Sequence, residues 1–142
     1  MENSLGNPWD FGNEFYSPNG EFKLYYGVTI EIAMGAPIYG ECYFENRNKT
    51  FMLKDSYGGP IVWNSESTNA AIPYWTNDRK QKLAIIDTVG MKVLLSKTTF
   101  RVIQLEKIEN DIIYGIDSPA YQPKRFKFDL EINELQSFAE IK

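Results

Sequence analysis

Hydrophobic and polar residues alternate along most of the chain, in short runs that polar turns separate. The clearest case is the segment from Pro60 to Asp87. It begins with a short apolar strand at Ile61–Trp63, and two further strands follow at Ala70–Trp75 and Leu83–Ile86. Short strands joined by short polar turns are typical of an antiparallel meander.

The same pattern predicts strands on both sides of this meander. In the first of them, Phe22, Leu24 and Tyr26 share one face, while Lys23 and Tyr25 share the other. The motif Gly35-Ala36-Pro37 interrupts the alternation, so we expect irregular structure over residues 31–39. The predicted strands are Phe22–Thr29, Gly40–Glu45, Thr50–Asp55, Met91–Leu95, Phe100–Lys107, Ile112–Ile116 and Arg125–Leu130.

The two ends of the chain differ from the strand pattern. Residues 1–14 are polar and rich in Gly, Asn and Pro, which predicts an irregular arm held by Trp9 and Phe11. The C-terminal segment 131–142 places Ile132, Leu135 and Phe138 three residues apart, which favours a short helix. The chain is therefore expected to form one all-β domain over residues 1–142. Its antiparallel meanders, of about ten short strands, would form an open propeller-like or sandwich arrangement.

Two parts of the chain resemble each other at an offset of 47 residues (64 minus 17). Segment Ser17–Tyr25 can be laid over Asn64–Ile72, since both are polar turns that lead into an apolar strand. This offset is close to the length of one four-stranded propeller blade. A weaker third unit would span Glu109–Asp129. The sheet that such units form could close, stay open or associate with another copy through its edges.

Composition excludes several kinds of chemistry. The chain has no histidine, so it cannot form a Ser-His-Asp or Cys-His catalytic group or a histidine metal site. Its one cysteine, Cys42, cannot form an intramolecular disulfide or a thiolate metal cluster. Nineteen acidic residues show no spacing that indicates a catalytic carboxylate pair. We therefore predict no catalytic residues, no metal, no cofactor and no enzymatic activity.

Charge and hydropathy bear on the compartment and the partners. The N-terminal residues show no signal-peptide pattern, and no apolar run is long enough for a membrane span. With a single cysteine, this predicts a cytoplasmic protein. The net charge of −4 and the pI of 4.9 argue against direct nucleic-acid binding. The same acidity is compatible with a basic protein partner.

Several motifs resemble known families. The turns Tyr16-Ser17-Pro18-Asn19-Gly20 and Trp63-Asn64-Ser65-Glu66-Ser67, with the strand Leu83–Asp87, are similar to blade elements of WD40 and TolB-type propellers. Other stretches resemble small bacterial immunity proteins of polymorphic toxin loci, of the Rhs and type VI secretion kinds. They are Phe15–Gly20, Met34-Gly35-Ala36-Pro37, Gly40–Tyr43, Gly58-Gly59-Pro60, Ala71–Thr76 and Gly115–Pro119.

The second resemblance implies an immunity protein that binds a cognate toxin and occludes its active site. Aromatic residues and acidic residues at turns and strand ends are the candidate contacts, because such groups anchor and orient protein interfaces. For the aromatic residues the competing interpretation is burial in the core, and for each acid it is an ordinary solvated surface. The predicted partner-binding residues are Tyr57, Tyr74, Trp75, Glu41, Asp55, Glu66, Asp78, Asp117 and Tyr121.

An alternative function remains open at this point. The chain could be a propeller-like scaffold or ligand-binding module that forms a homo-oligomer through open sheet edges, because unpaired strands readily pair with other chains. A toxic protein encoded beside this one would favour the immunity function. A self-associated particle without such a neighbour would favour the scaffold.

Overall fold

The computed structural model describes residues 6–31 and 35–141, with the side chains of 54 and 55 outside this description. Within these residues the chain is all β and contains no helix. The strands are β1 (Gly6–Asn7), β2 (Asp10–Phe11), β3 (Glu14–Tyr16), β4 (Phe22–Glu31), β5 (Ile38–Asn46), β6 (Lys49–Tyr57), β7 (Val62–Trp63), β8 (Asn69–Trp75), β9 (Gln81–Asp87), β10 (Lys92–Ser96), β11 (Ile103–Glu109), β12 (Ile112–Asp117), β13 (Lys124–Asp129) and β14 (Leu135–Glu140).

Most strands belong to one antiparallel sheet of nine. Its order is β14-β10-β9-β8-β6-β5-β4-β3, and β7 also pairs with β8. We call β3–β6 the first meander and β7–β10 the second meander. Strands β6 and β8 share a single register pair, Tyr57 with Tyr74, so the two meanders are joined at a narrow corner. Strands β11, β12 and β13 form a separate three-stranded sheet.

The core lies on both sides of the second meander. In the first core cluster, Leu24 and Phe44 of the first meander pack with Ile72 and Ile86 of the second, so the two meanders face each other. In the second cluster, residues from the opposite face of β8 and β9 pack against the three-stranded sheet. Its members include Ala71, Leu83, Ile85, Ile103, Ile113 and Phe128. The strands β8 and β9 are therefore buried on both faces, which explains their nearly continuous apolar sequence.

The predicted 47-residue repeat is present in the turns of the two meanders. The N–H of Ser17 donates to the carbonyl oxygen of Phe22 at 2.9 Å, and the N–H of Asn64 donates to that of Asn69 at 3.0 Å. The Ser17 hydroxyl accepts a hydrogen bond from the Phe22 N–H at 3.0 Å, and the Asn64 side-chain oxygen accepts one from the Asn69 N–H at 3.0 Å. Each turn also has its fourth residue at positive φ, Gly20 at 77° and Ser67 at 62°. Both turns therefore share one hydrogen-bonding pattern.

The proposed third unit does not share this pattern. Strands β11 and β12 are joined by a two-residue turn in which Asn110 and Asp111 both have positive φ. This is the conformation that a tight hairpin requires, and Asn and Asp adopt it more readily than most residues. The three strands form their own sheet. The nine-stranded sheet ends on β3 and β14, and neither a closed propeller nor a closed barrel is found among the described residues.

The predicted C-terminal helix is wrong. Residues Leu135–Glu140 form β14, which pairs antiparallel with β10. Beyond this strand, the N–H of Ile141 donates to the carbonyl oxygen of Met91 at 2.9 Å, and the Ile141 side chain is buried. Three apolar residues at helical spacing stabilise an isolated helix only weakly, whereas the free edge of β10 supplies a row of hydrogen-bonding partners.

The N-terminal arm is partly regular. Within predicted residues 1–14, the described part contains β1 and β2, which pair with each other, and β3 begins at Glu14. Both predicted anchors make contacts: the Trp9 indole donates to the carbonyl oxygen of Gly35 at 2.9 Å, and the Phe11 ring lies 5.1 Å from the Tyr26 ring. Parts of the predicted arm, loop and helix lie outside the described residues. They are residues 1–5 of the arm, 32–34 of the loop and 142 of the helix.

Candidate interaction surface

The outer face of the first meander presents two rows of side chains to solvent. Strand alternation produces them, because Leu24 and Tyr26 turn into the core and Lys23 and Tyr25 therefore turn outward. The register places the other outward residues opposite these two. We call the resulting set the tyrosine face: Glu14, Tyr25, Tyr43 and Met52 in one row, and Tyr16, Lys23, Glu45 and Thr50 in the other.

Two tyrosines at the centre of this face stack on each other. The rings of Tyr25 and Tyr43 lie on neighbouring strands, with their centroids 5.3 Å apart and an interplanar angle of 18°. The ring of Tyr43 also packs close to the backbone, because a Cβ on Gly27 would lie only 3.1 Å from it. Both tyrosines are half-buried, so each is held in place while part of its ring remains accessible.

Lys23 links the two rows. Its Nζ lies 3.2 Å from a Glu14 carboxylate oxygen and 3.9 Å from one of Glu45. The same ammonium group lies 4.9 Å from the ring centroid of Tyr25 and 5.6 Å from that of Tyr16. The hydrogen bond that Lys23 donates to the Glu14 carboxylate raises the pKa of Lys23, so the lysine stays charged. These contacts order the side chains before any partner arrives.

The predicted residue Glu41 lies at the border of this face. Burial raises the pKa of the Tyr43 hydroxyl, and the neighbouring Glu41 carboxylate raises it further through its charge and a hydrogen bond. Tyr43 therefore keeps its proton at neutral pH and can act as a hydrogen-bond donor. Among the described side chains around the tyrosines, Glu14, Glu41 and Glu45 carry negative charge and Lys23 carries positive charge.

Exposed apolar side chains add to the contact area. Tyr16 is 60% exposed and Met52 is 56% exposed on the tyrosine face itself. Further along β4, Val28 and Ile30 are 68% and 51% exposed. Large tyrosine, methionine and aliphatic side chains on an open sheet face are characteristic of protein-binding surfaces.

Metal ligands and the thiol are described for most of the chain. Among the described side chains of residues 6–31 and 35–141, which leave out Asp55, no group of three or more Cys, Asp or Glu is placed to hold a metal ion. Cys42 is fully buried, and burial raises the pKa of its thiol, which keeps it protonated and unreactive. In the described part of the chain no helix is long and apolar enough to cross a membrane.

The structure places the predicted aromatic contacts mainly in the core. Tyr57 is fully buried and Trp75 is 8% exposed, so neither presents a ring to a partner in this fold. Tyr74 points to the opposite face of β8 from Trp75, as the strand alternation predicts, and it is half-buried. Its ring lies 5.1 Å from that of Tyr57 and 5.1 Å from that of Phe138 on β14. Strand β14, which the sequence pattern did not predict, thus covers Tyr74.

The predicted acidic contacts are dispersed. Glu66 and Asp78 are exposed in the turns at opposite ends of β8, which places them about 20 Å apart. The hydroxyl of Thr76 lowers the pKa of Asp78 by a hydrogen bond. Asp55 belongs to β6, but its side chain lies outside the description. One acidic surface that joins Glu66 and Asp78 is therefore not present.

Two of the predicted residues, Asp117 and Tyr121, come together outside the core. Asp117 and Tyr121 line one small cleft of about 190 Å³ beyond the end of β12. The Asp117 carboxylate accepts hydrogen bonds from the backbone N–H groups of Arg101 and Val102, at 3.0 and 3.3 Å. The Arg101 guanidinium lies 5.9 Å from the ring centroid of Tyr121. Asp117 thus holds the segment that precedes β11 in place, which is a structural role.

Sequence reasoning did not select Tyr16, Tyr25, Tyr43 or Lys23. The sequence carries only a weak signal for this surface. Alternation places Lys23 and Tyr25 on one face of their strand, but it does not show which residue lies opposite Tyr25 on the neighbouring strand. Only the pairing of β4 with β5 places Tyr43 beside Tyr25. Aromatic residues at outward positions of consecutive predicted strands would have indicated this surface.

Comparisons with protein-family models, with curated proteins and with solved structures found no match to this chain.

Proposed function

We propose that the protein is a non-enzymatic binding protein of the bacterial cytoplasm, an immunity protein that neutralises a cognate toxin by covering its active site. The tyrosine face is the surface through which it docks. The observation that carries this proposal is the ordered stack of Tyr25 and Tyr43, bordered by charged residues on a rigid sheet. The resemblance of several sequence motifs to bacterial immunity proteins is the reason for proposing a toxin as the partner.

The physical basis is preorganisation. Side chains that are already ordered lose little conformational entropy on binding, and tyrosine combines a large apolar ring with a hydrogen-bonding group. On the tyrosine face, Lys23 and the stacked rings hold one another in position. A few such residues at the centre of an interface can supply most of its affinity.

Charge favours a basic partner. The chain has a net charge of −4, and among the described side chains around the tyrosines there are three carboxylates and one lysine. Complementary charge accelerates association and excludes partners of the wrong sign. A toxin that acts on nucleic acid has a basic substrate surface, and occlusion of that surface would inhibit it.

The test is co-expression with the candidate toxin encoded beside this protein. Cells should survive with the natural chain, and the two proteins should co-purify. The double variant Tyr25→Ala with Tyr43→Ala should weaken binding about 100-fold and abolish protection, because it removes both central anchors. The measurements are cell survival and the dissociation constant by calorimetry.

Ile132→Ala is the control, because Ile132 is a large apolar residue that is 78% exposed in the turn between β13 and β14, outside the tyrosine face. It should retain protection and affinity. Thermal unfolding of each variant shows whether the fold is kept. Retention of full affinity by a folded double variant would refute the tyrosine face as the docking site, and absence of any complex would refute the toxin as partner.

A second candidate function is a scaffold or ligand-binding module that self-associates through its sheet edges. The observation that favours it is the open sheet, which ends on β3 at one side and on β14 at the other. Strand β14 is six residues long and its outer positions are largely exposed. Light scattering over a range of protein concentrations separates the two functions, since the scaffold predicts a stable oligomer of the isolated chain.

A further inference from the structure

A second surface of distinct chemistry lies on the outer face of the three-stranded sheet. Tyr114 of β12 is paired with Lys107 of β11 on one side and with Lys127 of β13 on the other. The two ammonium groups lie 5.0 and 5.7 Å from the centroid of its ring. The aromatic ring thus holds two positive charges on one face of the sheet.

A groove of about 420 Å³ adjoins this row. It is lined by Tyr114 and Lys127, by Gly115 and Phe126, and by an ion pair in which Arg125 Nη1 lies 2.7 Å from a Glu106 carboxylate oxygen. The groove therefore combines an aromatic floor with cationic margins.

The edge of this sheet is open. Strand β13 pairs with β12 only, so among the described residues one side of its backbone has no strand partner. Its sequence, Lys-Arg-Phe-Lys-Phe-Asp, places three cations within six residues, although the chain as a whole has a net charge of −4. All three cations, Lys124, Arg125 and Lys127, are exposed.

We propose that β13 accepts an extended acidic segment of a partner protein as an added strand. Backbone groups along the free edge of β13 would pair with the segment. Side chains two residues apart on a strand share one face, so Arg125 and Lys127 lie on one face of β13 and Phe126 lies on the other. A partner sequence of the form acidic–apolar–acidic matches this alternation. The acidic groups would lie beside the cations, and the apolar residue would lie on the side of Phe126.

Charge complementarity selects this occupant. Among the described residues Lys124 and Lys127 of β13 form no ion pair, whereas Arg125 is already paired with Glu106 at 2.7 Å. Carboxylates of an acidic segment would form charge-assisted hydrogen bonds with the two lysines, which a basic or neutral segment could not do. Strand β13 belongs to a different sheet from the tyrosine face, so this inference does not depend on the proposed function. Positive side chains on an edge strand also serve in some proteins only to prevent aggregation. The experiment must separate these two roles.

The probe is a short synthetic peptide in which Glu alternates with Val, labelled with a fluorophore and titrated with the full chain. Fluorescence anisotropy should show saturable binding at low salt. The double variant Arg125→Glu with Lys127→Glu should weaken this binding at least about tenfold and should bind a Lys-Val peptide instead. Lys49→Glu, at an exposed cation at the start of β6, is the control for added negative charge and should bind normally.

A second peptide tests strand addition separately from charge. Methylation of alternate backbone nitrogens of the Glu-Val peptide keeps its charges but removes strand hydrogen bonds, and it should abolish binding. Equal binding of the methylated peptide would overturn strand addition. Equal binding of acidic and basic peptides, or no effect of the double variant, would overturn the acidic partner. Self-association that the double variant abolishes, without any peptide binding, would instead identify a second copy of the chain as the occupant.

Discussion

The two meanders use the same hairpin but turn opposite faces toward the core they share. Their turns have the same backbone hydrogen bonds, and their first strand pairs have the same register: Phe15 with Leu24 in the first meander and Val62 with Ala71 in the second. In the first meander this pair belongs to the core between the two meanders. In the second it belongs to the core with the three-stranded sheet.

The opposite faces of the two hairpins differ correspondingly. In the first meander Tyr16 and Tyr25 face solvent and contribute to the tyrosine face. Their equivalents at the 47-residue offset are Trp63 and Ile72, and both pack in the shared core. The first hairpin thus keeps one face exposed to solvent, and the second becomes an interior layer. The difference lies in what covers the unit, since the turn and the register are common to both.

The largest difference in stability is expected between variants at equivalent positions of the two hairpins. Ile72→Gln should lower the free energy of unfolding by about 4 kcal/mol, because it buries an amide where Ile72 is fully buried. Tyr25→Gln should cost about 1 kcal/mol, because that amide can reach water. Urea unfolding monitored by tryptophan fluorescence measures both values.

Ile72→Val is the control for volume and should cost about 1 kcal/mol. Equal losses for the two glutamine variants would contradict the assignment of one face to the core and the other to solvent.

An intermediate effect compares the two turns. The Asn64 side chain is buried; it accepts hydrogen bonds from the N–H groups of Thr68 and Asn69 and donates one to the Thr68 hydroxyl. Asn64→Ala should therefore cost about 3 kcal/mol, whereas Ser17→Ala, which loses one backbone contact and the bond to Asn19, should cost about 1 kcal/mol.

The measurement for the turns is again urea unfolding, with Ser65→Ala as control. Ser65 is exposed beside Asn64, so its replacement should change the free energy of unfolding by less than about 0.5 kcal/mol. A larger loss from Ser17→Ala than from Asn64→Ala would reverse the expected order and disprove this account of the turns.

The smallest effect concerns alkaline pH and the core between the meanders. Burial raises the pKa of the Cys42 thiol, so the folded chain keeps this proton when the unfolded chain has begun to lose it. The stabilisation is complete below the ordinary thiol pKa and declines as pH rises above it. We expect a loss of about 1 kcal/mol within roughly one unit above that pKa.

The free energy of unfolding of the natural chain and of Cys42→Val, measured between neutral and alkaline pH, tests this effect. The variant should lose less stability over the range in which a thiol titrates. Tyr26 is also buried with a raised pKa, but its hydroxyl titrates at higher pH than a thiol. Identical pH profiles for the two proteins would show that Cys42 does not titrate on unfolding.

Much of the local structure could be predicted because its causes are local. Alternation in β4 assigns Leu24 and Tyr26 to one face and Lys23 and Tyr25 to the other, and the structure confirms this. The turn sequences of Ser17 and Asn64 predict hairpins, since their side chains bond to backbone groups only a few residues away. The C-terminal strand could not be predicted, because its pairing partner β10 lies far along the chain.

The candidate surfaces depend on such distant pairings. No local pattern shows that Tyr43 stacks on Tyr25, or that Tyr114 lies between Lys107 and Lys127, because each contact requires the register of neighbouring strands. Burial of Tyr57 likewise follows from packing between the two meanders.

The sequence by itself determined an all-β chain, the position of most strands and a hairpin used twice. These properties follow from side-chain alternation and turn chemistry, which act over a few residues. Only the tertiary structure decided which face of each hairpin meets solvent, because burial of a sheet face depends on the layer that covers it. The second hairpin is covered on both faces and the first on one, and for that reason Tyr25 remains available for binding where Ile72 does not.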